Sequence, residues 1–267
     1  MCAETTLNIE QAVIFAGGLG TRFSEETVNT PKPMIKIGSM PILWHILKIY
    51  YHQGIKNFVI CAGYRQESIK EFFLNYRSLK SDIEIDFDGD EVIFLNQKHE
   101  DWKITIVNTG LYSQTAYRLK MVKEFLNEEF YLTYGDGLAD INLNELNEEH
   151  TKSRSLLTLT AVQPKGRFGA LNFQNNGFVS EFHEKPIGDG HWVNGGFFRA
   201  NKKFLDLIPN ISQDVTFEQC LESLAQMGQL YAYKHEGFWA PMDTLRDYKI
   251  LNKMYEENNA PWKIWND

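Results

Sequence analysis

The stretch Ala12-Val13-Ile14-Phe15-Ala16-Gly17-Gly18-Leu19-Gly20 joins five apolar residues to a glycine-rich segment. A short apolar run bounded by glycines reads as a buried strand that feeds a loop. Outward from it the signals alternate. Ile42 to Tyr51 carries apolar residues at helical spacing (Ile42, Ile46, Ile49, Tyr50) and stops near Gly54, a plausible C-cap residue. Phe58-Val-Ile-Cys-Ala62 repeats the strand signal and Gln66 to Tyr76 the helical one. Strand, helix, strand, helix in this order predicts an α/β fold: a mostly parallel sheet with helices on both faces.

The rhythm then changes. Asp82-Ile-Glu-Ile-Asp-Phe87 alternates strictly, Asp88-Gly-Asp90 turns, and Val92 to Leu95 returns, which predicts a β-hairpin. Parallel order resumes with Phe130-Tyr-Leu-Thr-Tyr134 and Leu156 to Val162. Short strands with glycine turns follow from Gly177 to Phe198, then helices over Phe217 to Met227 and Thr244 to Glu257. No repeat, low-complexity segment or linker interrupts the chain. The expectation is a single domain over 1–267, with a β-rich insertion at 77–105 and a small β-rich, then helical, part at 177–267.

Composition narrows the function. The 267 residues carry 27 Lys plus Arg against 35 Asp plus Glu, a net charge of −8. So acidic a chain is a poor partner for nucleic acid, although a local basic pocket can still hold phosphates. Cys2, Cys61 and Cys220 are widely spaced, without a CxxC pair or a histidine cluster, which excludes a zinc ribbon or disulfide framework. No stretch reaches the roughly eighteen apolar residues of a membrane span, and Met1 to Glu10 lacks the features of a secretory signal. The expected location is the cytoplasm.

Several short motifs can carry chemistry. Gly17-Gly-Leu-Gly-Thr-Arg22 is followed by Pro31-Lys-Pro-Met34. Glycines after a strand let backbone N–H groups approach anionic oxygens, and Arg22 and Lys32 would add full charges to the same phosphates. The GxGxxG fingerprint fails because its third glycine position is Phe23, and no GKS or GKT follows for a P-loop. Asp136, between glycines in Tyr134-Gly-Asp-Gly137, is sterically free to reach a hard cation such as Mg²⁺, though turn aspartates are common. Asp243, in Met242-Asp-Thr244, reads from its own segment chiefly as an N-cap for the helix that follows. Glu184 can accept hydrogen bonds from hydroxyls and Lys185 can meet a second phosphate, but a lone Glu-Lys pair is usually a solvated surface pair.

Together these segments resemble the sugar-1-phosphate nucleotidylyltransferases, and within them the glucose-1-phosphate cytidylyltransferases. The resemblance runs from about Gln11 to Trp265. It includes Ala16–Arg22, Pro31–Met34, Pro41-Ile-Leu-Trp-His45, Tyr134–Gly137, Gly166-Arg-Phe-Gly-Ala-Leu171, Glu184-Lys-Pro186, Asn194-Gly-Gly-Phe-Phe198, Gly237-Phe-Trp239 and Met242-Asp-Thr-Leu-Arg-Asp247. It implies a Rossmann-like fold and transfer of a cytidylyl group from CTP to glucose 1-phosphate, with Mg²⁺ as cofactor and often a homo-oligomeric assembly. Carried across residue by residue, Gly17, Gly18, Gly20, Thr21, Arg22, Lys32, Thr115 and Arg118 would hold the nucleotide. Asp136 and Asp243 would bind Mg²⁺, while Gly169, Glu184, Lys185 and Asn194 would hold the sugar phosphate. Arg22, Lys32 and Lys185 would supply the catalytic charge.

Two departures stand out. Where the family reads T-G-G-R, this chain has Thr115-Ala-Tyr-Arg118, so that either the loop moves or the base end of the pocket is reshaped. Asn108 stands where an Asp is usual. The rivals are the same chemistry on another sugar or polyol phosphate, or with UTP or dTTP, and a non-catalytic nucleotide-sugar-binding regulatory subunit. Retention of Arg22, Lys32, Asp136, Lys185 and Asp243 argues against the last.

Overall fold

In the computed structural model, residues 9–18, 20, 30–96, 99–164, 170–174, 178–183, 191–208 and 211–266 are described. Strand β1 (Gln11–Ala16) is buried along its whole length, as its unbroken apolar run requires. The strands that follow are β2 (Lys36–Ile37), β3 (Met40–Pro41), β4 (Asn57–Ala62), β5 (Asp82–Asp86), β6 (Glu91–Leu95), β7 (Lys103–Asn108) and β8 (Glu129–Tyr134). Then come β9 (Gly137–Ala139), β10 (Leu157–Val162), β11 (Ala170–Phe173), β12 (Val179–His183), β13 (Val193–Asn201), β14 (Leu230–His235) and β15 (Trp239–Pro241).

Seven of them form the central sheet in the order β14-β10-β13-β8-β1-β4-β7. β1 runs parallel to β4 and β8, β4 to β7, and β10 to β14. β13 is antiparallel to both neighbours, β8 and β10. The departure has a topological reason. Among the described residues β10 and β13 are separated by the β11–β12 ribbon and by no crossover helix, a connection from which the chain can return antiparallel. Of the β-rich segment expected from residue 177 onward, β13 and β14 therefore enter the main sheet.

Alternate residues of β1 serve opposite faces, because side chains along a strand point up and down in turn. Ala12, Ile14 and Ala16 join Phe58, Ile60 and Tyr131 under the helix Ile42–His52. Val13 and Phe15 join Val59, Leu132 and Phe198 under the helices Thr115–Met121 and Phe217–Gln226. The first of these helices stops as its glycine predicts. Gly54 sits at φ +95° while its N–H donates to Tyr51 O at 2.9 Å.

The expected hairpin forms as β5–β6, with Asp82 opposite Leu95 and Asp86 opposite Glu91. The C-terminal tail docks on its own domain. Trp262 is 0% exposed, with its ring centroid 5.6 Å from Phe238 and 6.3 Å from His45. His45 is buried as well, and burial pushes its pKa down to about 4, so a neutral imidazole meets the indole. Trp262→Ala is expected to destabilise the fold by roughly 3–5 kcal/mol, the usual cost of emptying a buried aromatic site, as measured by urea denaturation.

Candidate active site

From β1 the chain moves outward to β4 and β7, then returns to the other side of β1 as β8. The connections diverge at the β1/β8 boundary, and in open α/β sheets ligands bind beyond the strand C-termini at such a point. A cleft of about 290 Å³ lies there, lined by Gly17, Gly18, Gly20, Lys32, Asp136 and Asp243 among others. Gly135 lets the two strand ends stay close. Its N–H donates to Phe15 O at 2.9 Å, and a Cβ would stand 2.7 Å from that oxygen.

Asp136 and Asp243 meet because β9 pairs with β15, placing Gly137 opposite Pro241, and Met242 N–H donates to Asp136 O at 2.8 Å. Asp243 is not the helix cap. Thr244 caps Leu245–Glu256 in a reciprocal box with Asp247, which leaves the Asp243 carboxylate for the cleft. Lys32 Nζ donates to Asp136 Oδ2 at 2.7 Å and to Asp243 Oδ1 at 2.6 Å. The lysine is largely buried, whereas the carboxylates remain 35% and 33% exposed. Burial alone would lower the Lys32 pKa. The two carboxylates outweigh it and hold the ammonium above its ordinary value.

Arg118, which the resemblance assigns to the nucleotide, lines the cleft and spends its hydrogen bonds on the surrounding loops. It is 3% exposed. One guanidinium nitrogen donates to Thr109 Oγ1 and Gly110 O at 2.7 Å each, and the other to Gly17 O at 2.9 Å. Its fork thus ties the loops after β1 and β7, and a longer 3.4 Å bond reaches Ala62 O at the end of β4. Burial lowers its pKa from the usual arginine value, yet arginine stays charged in proteins. Gly17 and Gly63 are glycines because a Cβ at either would come within 2.5 Å of this guanidinium.

The Thr115-Ala-Tyr-Arg118 departure falls in the first turn of a helix, where no glycine conformation is needed. Ala116 is buried beside Leu119 in the cluster below Phe15, and Tyr117 packs on the same cluster. Thr115 and Arg118 still line the cleft. The Thr115 hydroxyl accepts from Phe217 N–H at 2.8 Å. Asn108 Oδ1 accepts from Gly110 N–H at 3.0 Å, a turn that an aspartate would close in the same way.

Asn194 stands beside Tyr134, whose hydroxyl its amide hydrogen-bonds and which itself donates to Glu218 Oε1 at 2.6 Å. Thr21, Arg22, Gly169, Glu184 and Lys185 lie outside the described residues. The sequence reading missed Ser113 and Gln114, which line the cleft just before the Thr115 helix. Their segment carries no motif of its own, and only the fold brings it beside Gly17.

The donor set fits Mg²⁺, which takes one or two protein carboxylates and completes its shell with phosphate oxygens and water. Asp136 and Asp243 are two partly exposed carboxylates already gathered about one cation.

The chain also resembles known proteins along almost its whole length. The family description "Nucleotidyl transferase" matches residues 11–258. The chain is 49% identical over 258 residues to the glucose-1-phosphate cytidylyltransferase of Salmonella typhi, covering 96% of this chain and 99% of that protein. It is 48% identical over the same span to the protein of that name from Salmonella typhimurium, with the same coverage. Among solved structures, HddC from Yersinia pseudotuberculosis complexed with GMP-PN superposes with a TM-score of 0.67 at 19% identity, over 92% of this chain and 100% of that one.

Arg118→Met removes the guanidinium donor from the Gly110 and Leu111 carbonyls and weakens the bonding of Gly17 O, and a buried carbonyl left unpaired costs roughly 1–3 kcal/mol. The expected outcome is a lower Tm and faster amide exchange at Tyr64 and Thr109, whose N–H groups bond Gly17 O and Ala62 O. Arg118→Lys is expected to rescue only part of this, since a lysine lacks the planar fork.

Proposed function

We propose that this chain, which belongs to the glucose-1-phosphate cytidylyltransferase family of nucleotidyl transferases, transfers the cytidylyl group of CTP to glucose 1-phosphate, yielding CDP-glucose and pyrophosphate. The observation that carries the reading at the level of the site is the convergence of Lys32, Asp136 and Asp243 on a glycine-lined cleft at the β1/β8 switch point.

A phosphate oxygen of the sugar attacks the α-phosphorus in line. The new O–P bond forms as the bond to the β-phosphate breaks, and pyrophosphate leaves with the electron pair. The nucleophile is an anion at neutral pH, so no general base is needed. The difficulty is the approach of one polyanion to another, and catalysis consists largely of positioning and of offsetting that repulsion.

Gly17, Gly18, Gly20 and Thr115 line the cleft where a triphosphate would lie, and in the sequence Thr21 and Arg22, which would meet the same nucleotide, follow Gly20 directly. Arg118 holds that loop against the ends of β4 and β7. Asp136 and Asp243 would hold Mg²⁺, which when bound screens the triphosphate and orients its oxygens. In this reading Lys185 meets the sugar phosphate, Glu184 the sugar hydroxyls, and Gly169 and Asn194 complete the sugar pocket.

The assembly is a homo-oligomer in this proposal. Ile83 and Ile85 of β5 face Phe94 and Val92 of β6 on one side of the hairpin, and Phe87 at the turn is 90% exposed. An apolar ribbon of two strands gains by being covered. Among the described residues no helix is long and apolar enough to cross a membrane. Cys61 and Cys220 are free thiols, and a cytoplasmic location completes the proposal.

Asp136→Asn is expected to cut kcat for CTP- and glucose 1-phosphate-dependent pyrophosphate release by about 10²–10³, the scale of losing one electrostatic element of a site, with the circular dichroism spectrum unchanged. A wild-type rate in that variant would refute the metal assignment. The double variant Ile85→Glu, Phe87→Glu is expected to dissociate the assembly, read as a fall in mass by light scattering.

A further inference from the structure

Lys32 holds a place at odds with the task assigned to it. In the proposed reaction its ammonium meets the phosphates of CTP. In the structure the same ammonium lies between the two carboxylates that would hold the cation, 2.7 Å from Asp136 and 2.6 Å from Asp243. We infer that Lys32 competes with the divalent cation for Asp136 and Asp243, and that yielding them is what delivers its ammonium to the triphosphate. This rests on the reading of the site given above.

Both contacts are short, charge-assisted hydrogen bonds, so one ammonium engages one oxygen of each carboxylate. A cation held by the same two carboxylates would stand beside a positive charge if the lysine stayed. Like charges packed so closely in a partly dry cleft repel strongly, so a divalent ion and Lys32 in its present position compete for the two carboxylates.

The backbone at Lys32 is restrained. Pro31 and Pro33 flank it in a single 3₁₀ turn, closed by Met34 N–H donating to Pro31 O at 2.8 Å. Movement is left to the four-carbon stem, which is flexible in lysine. The stem has a destination, because Lys32 shares its cleft with Gly17, Gly18 and Gly20. A triphosphate seated on those glycines gives the ammonium a new partner as the carboxylates are taken.

The consequence is thermodynamic coupling. A divalent ion binding alone must displace Lys32 with nothing to receive it. With a triphosphate present, the displaced ammonium is paired again. Cation and nucleotide therefore strengthen each other's binding by equal factors, as linkage requires. Lys32 thus pairs both carboxylates and biases the cleft toward taking nucleotide and cation together.

The test is calorimetric titration of the full chain with Mn²⁺ alone, without nucleotide, on the wild type, Lys32→Met and Asp136→Asn. Lys32→Met is expected to bind Mn²⁺ about tenfold more tightly than wild type, a coupling of the usual size, and CTP is expected to raise Mn²⁺ affinity more in wild type than in Lys32→Met. In the unsubstituted protein, saturating Mn²⁺ is expected to speed acetylation of Lys32, followed by mass spectrometry, which keeps the test open if Lys32→Met folds poorly. Equal or weaker Mn²⁺ binding by folded Lys32→Met, or Lys32 acetylation indifferent to Mn²⁺, overturns the competition. If Asp136→Asn meanwhile abolishes Mn²⁺ binding, the metal assignment survives that failure. Wild-type Mn²⁺ affinity in Asp136→Asn overturns both.

Discussion

Two ionised carboxylates held side by side in a partly buried cleft repel each other unless a positive charge lies between them. Asp136 and Asp243 come from distant parts of the chain, and one ammonium, that of Lys32, bonds both. Their approach is imposed by the backbone, through the pairing of β9 with β15. The electrostatic cost of the approach is offset by the lysine. The site is therefore a compromise between a sheet that forces like charges together and a cation that makes this tolerable. Any ligand of the cleft must re-solve the same problem.

Arg118 answers a different problem with the same kind of charge. Three strand ends present carbonyl oxygens to the cleft floor, and unpaired carbonyls there would be as costly as any buried orphan. The guanidinium satisfies Gly17, Gly110 and Leu111 carbonyls and the Thr109 hydroxyl together. Among the described residues no carboxylate is a partner of this group, and the guanidinium adds positive charge to the cleft that it lines. One side chain thus closes the backbone's hydrogen bonds and biases the potential above it.

The sheet was legible because strands buried on both faces, such as Ala12–Ala16 and Phe58–Ala62, write themselves as unbroken apolar runs bounded by glycine. The hairpin was legible from its alternation. The reversed direction of β13 was not, since a buried strand has the same composition whichever way it runs. For the site, the glycine loop, Lys32 and Asp136 declared themselves by motif. Asp243 did not, as its local signal suited a cap equally well; the fold decided between them by giving the cap to Thr244. The duty of Arg118 was also hidden. A charge can be read from sequence, but whether it points at a ligand or at backbone carbonyls depends on loops that only the assembled sheet brings together. The Ala116-Tyr117 departure looked like a pocket change because it was read as a loop; as helix, it is ordinary core packing.

The segments that carry Lys32 and Asp243 are also fastened to each other away from the cleft. After Asp243 the helix Leu245–Glu256 runs across the β2–β3 turn, where Gly38 N–H donates to Asn252 Oδ1 at 2.9 Å. Gly38 adopts φ +61°, and a Cβ there would lie 2.2 Å from the Tyr255 ring, so the turn and the helix can approach only at a glycine. The helix then hands the chain to the tail, whose Trp262 and Trp265 close over His45 and Trp44 on the helix that follows β3. Lys32 and Asp243 therefore sit at one end of an interlocked unit whose other end is the buried aromatic cluster. Asp136 comes from β8 and the sheet interior, so the triad spans the join between this unit and the sheet. A cation held by both carboxylates would add to the same join that Lys32, the β9–β15 pairing and the bond from Met242 N–H to Asp136 O fasten now.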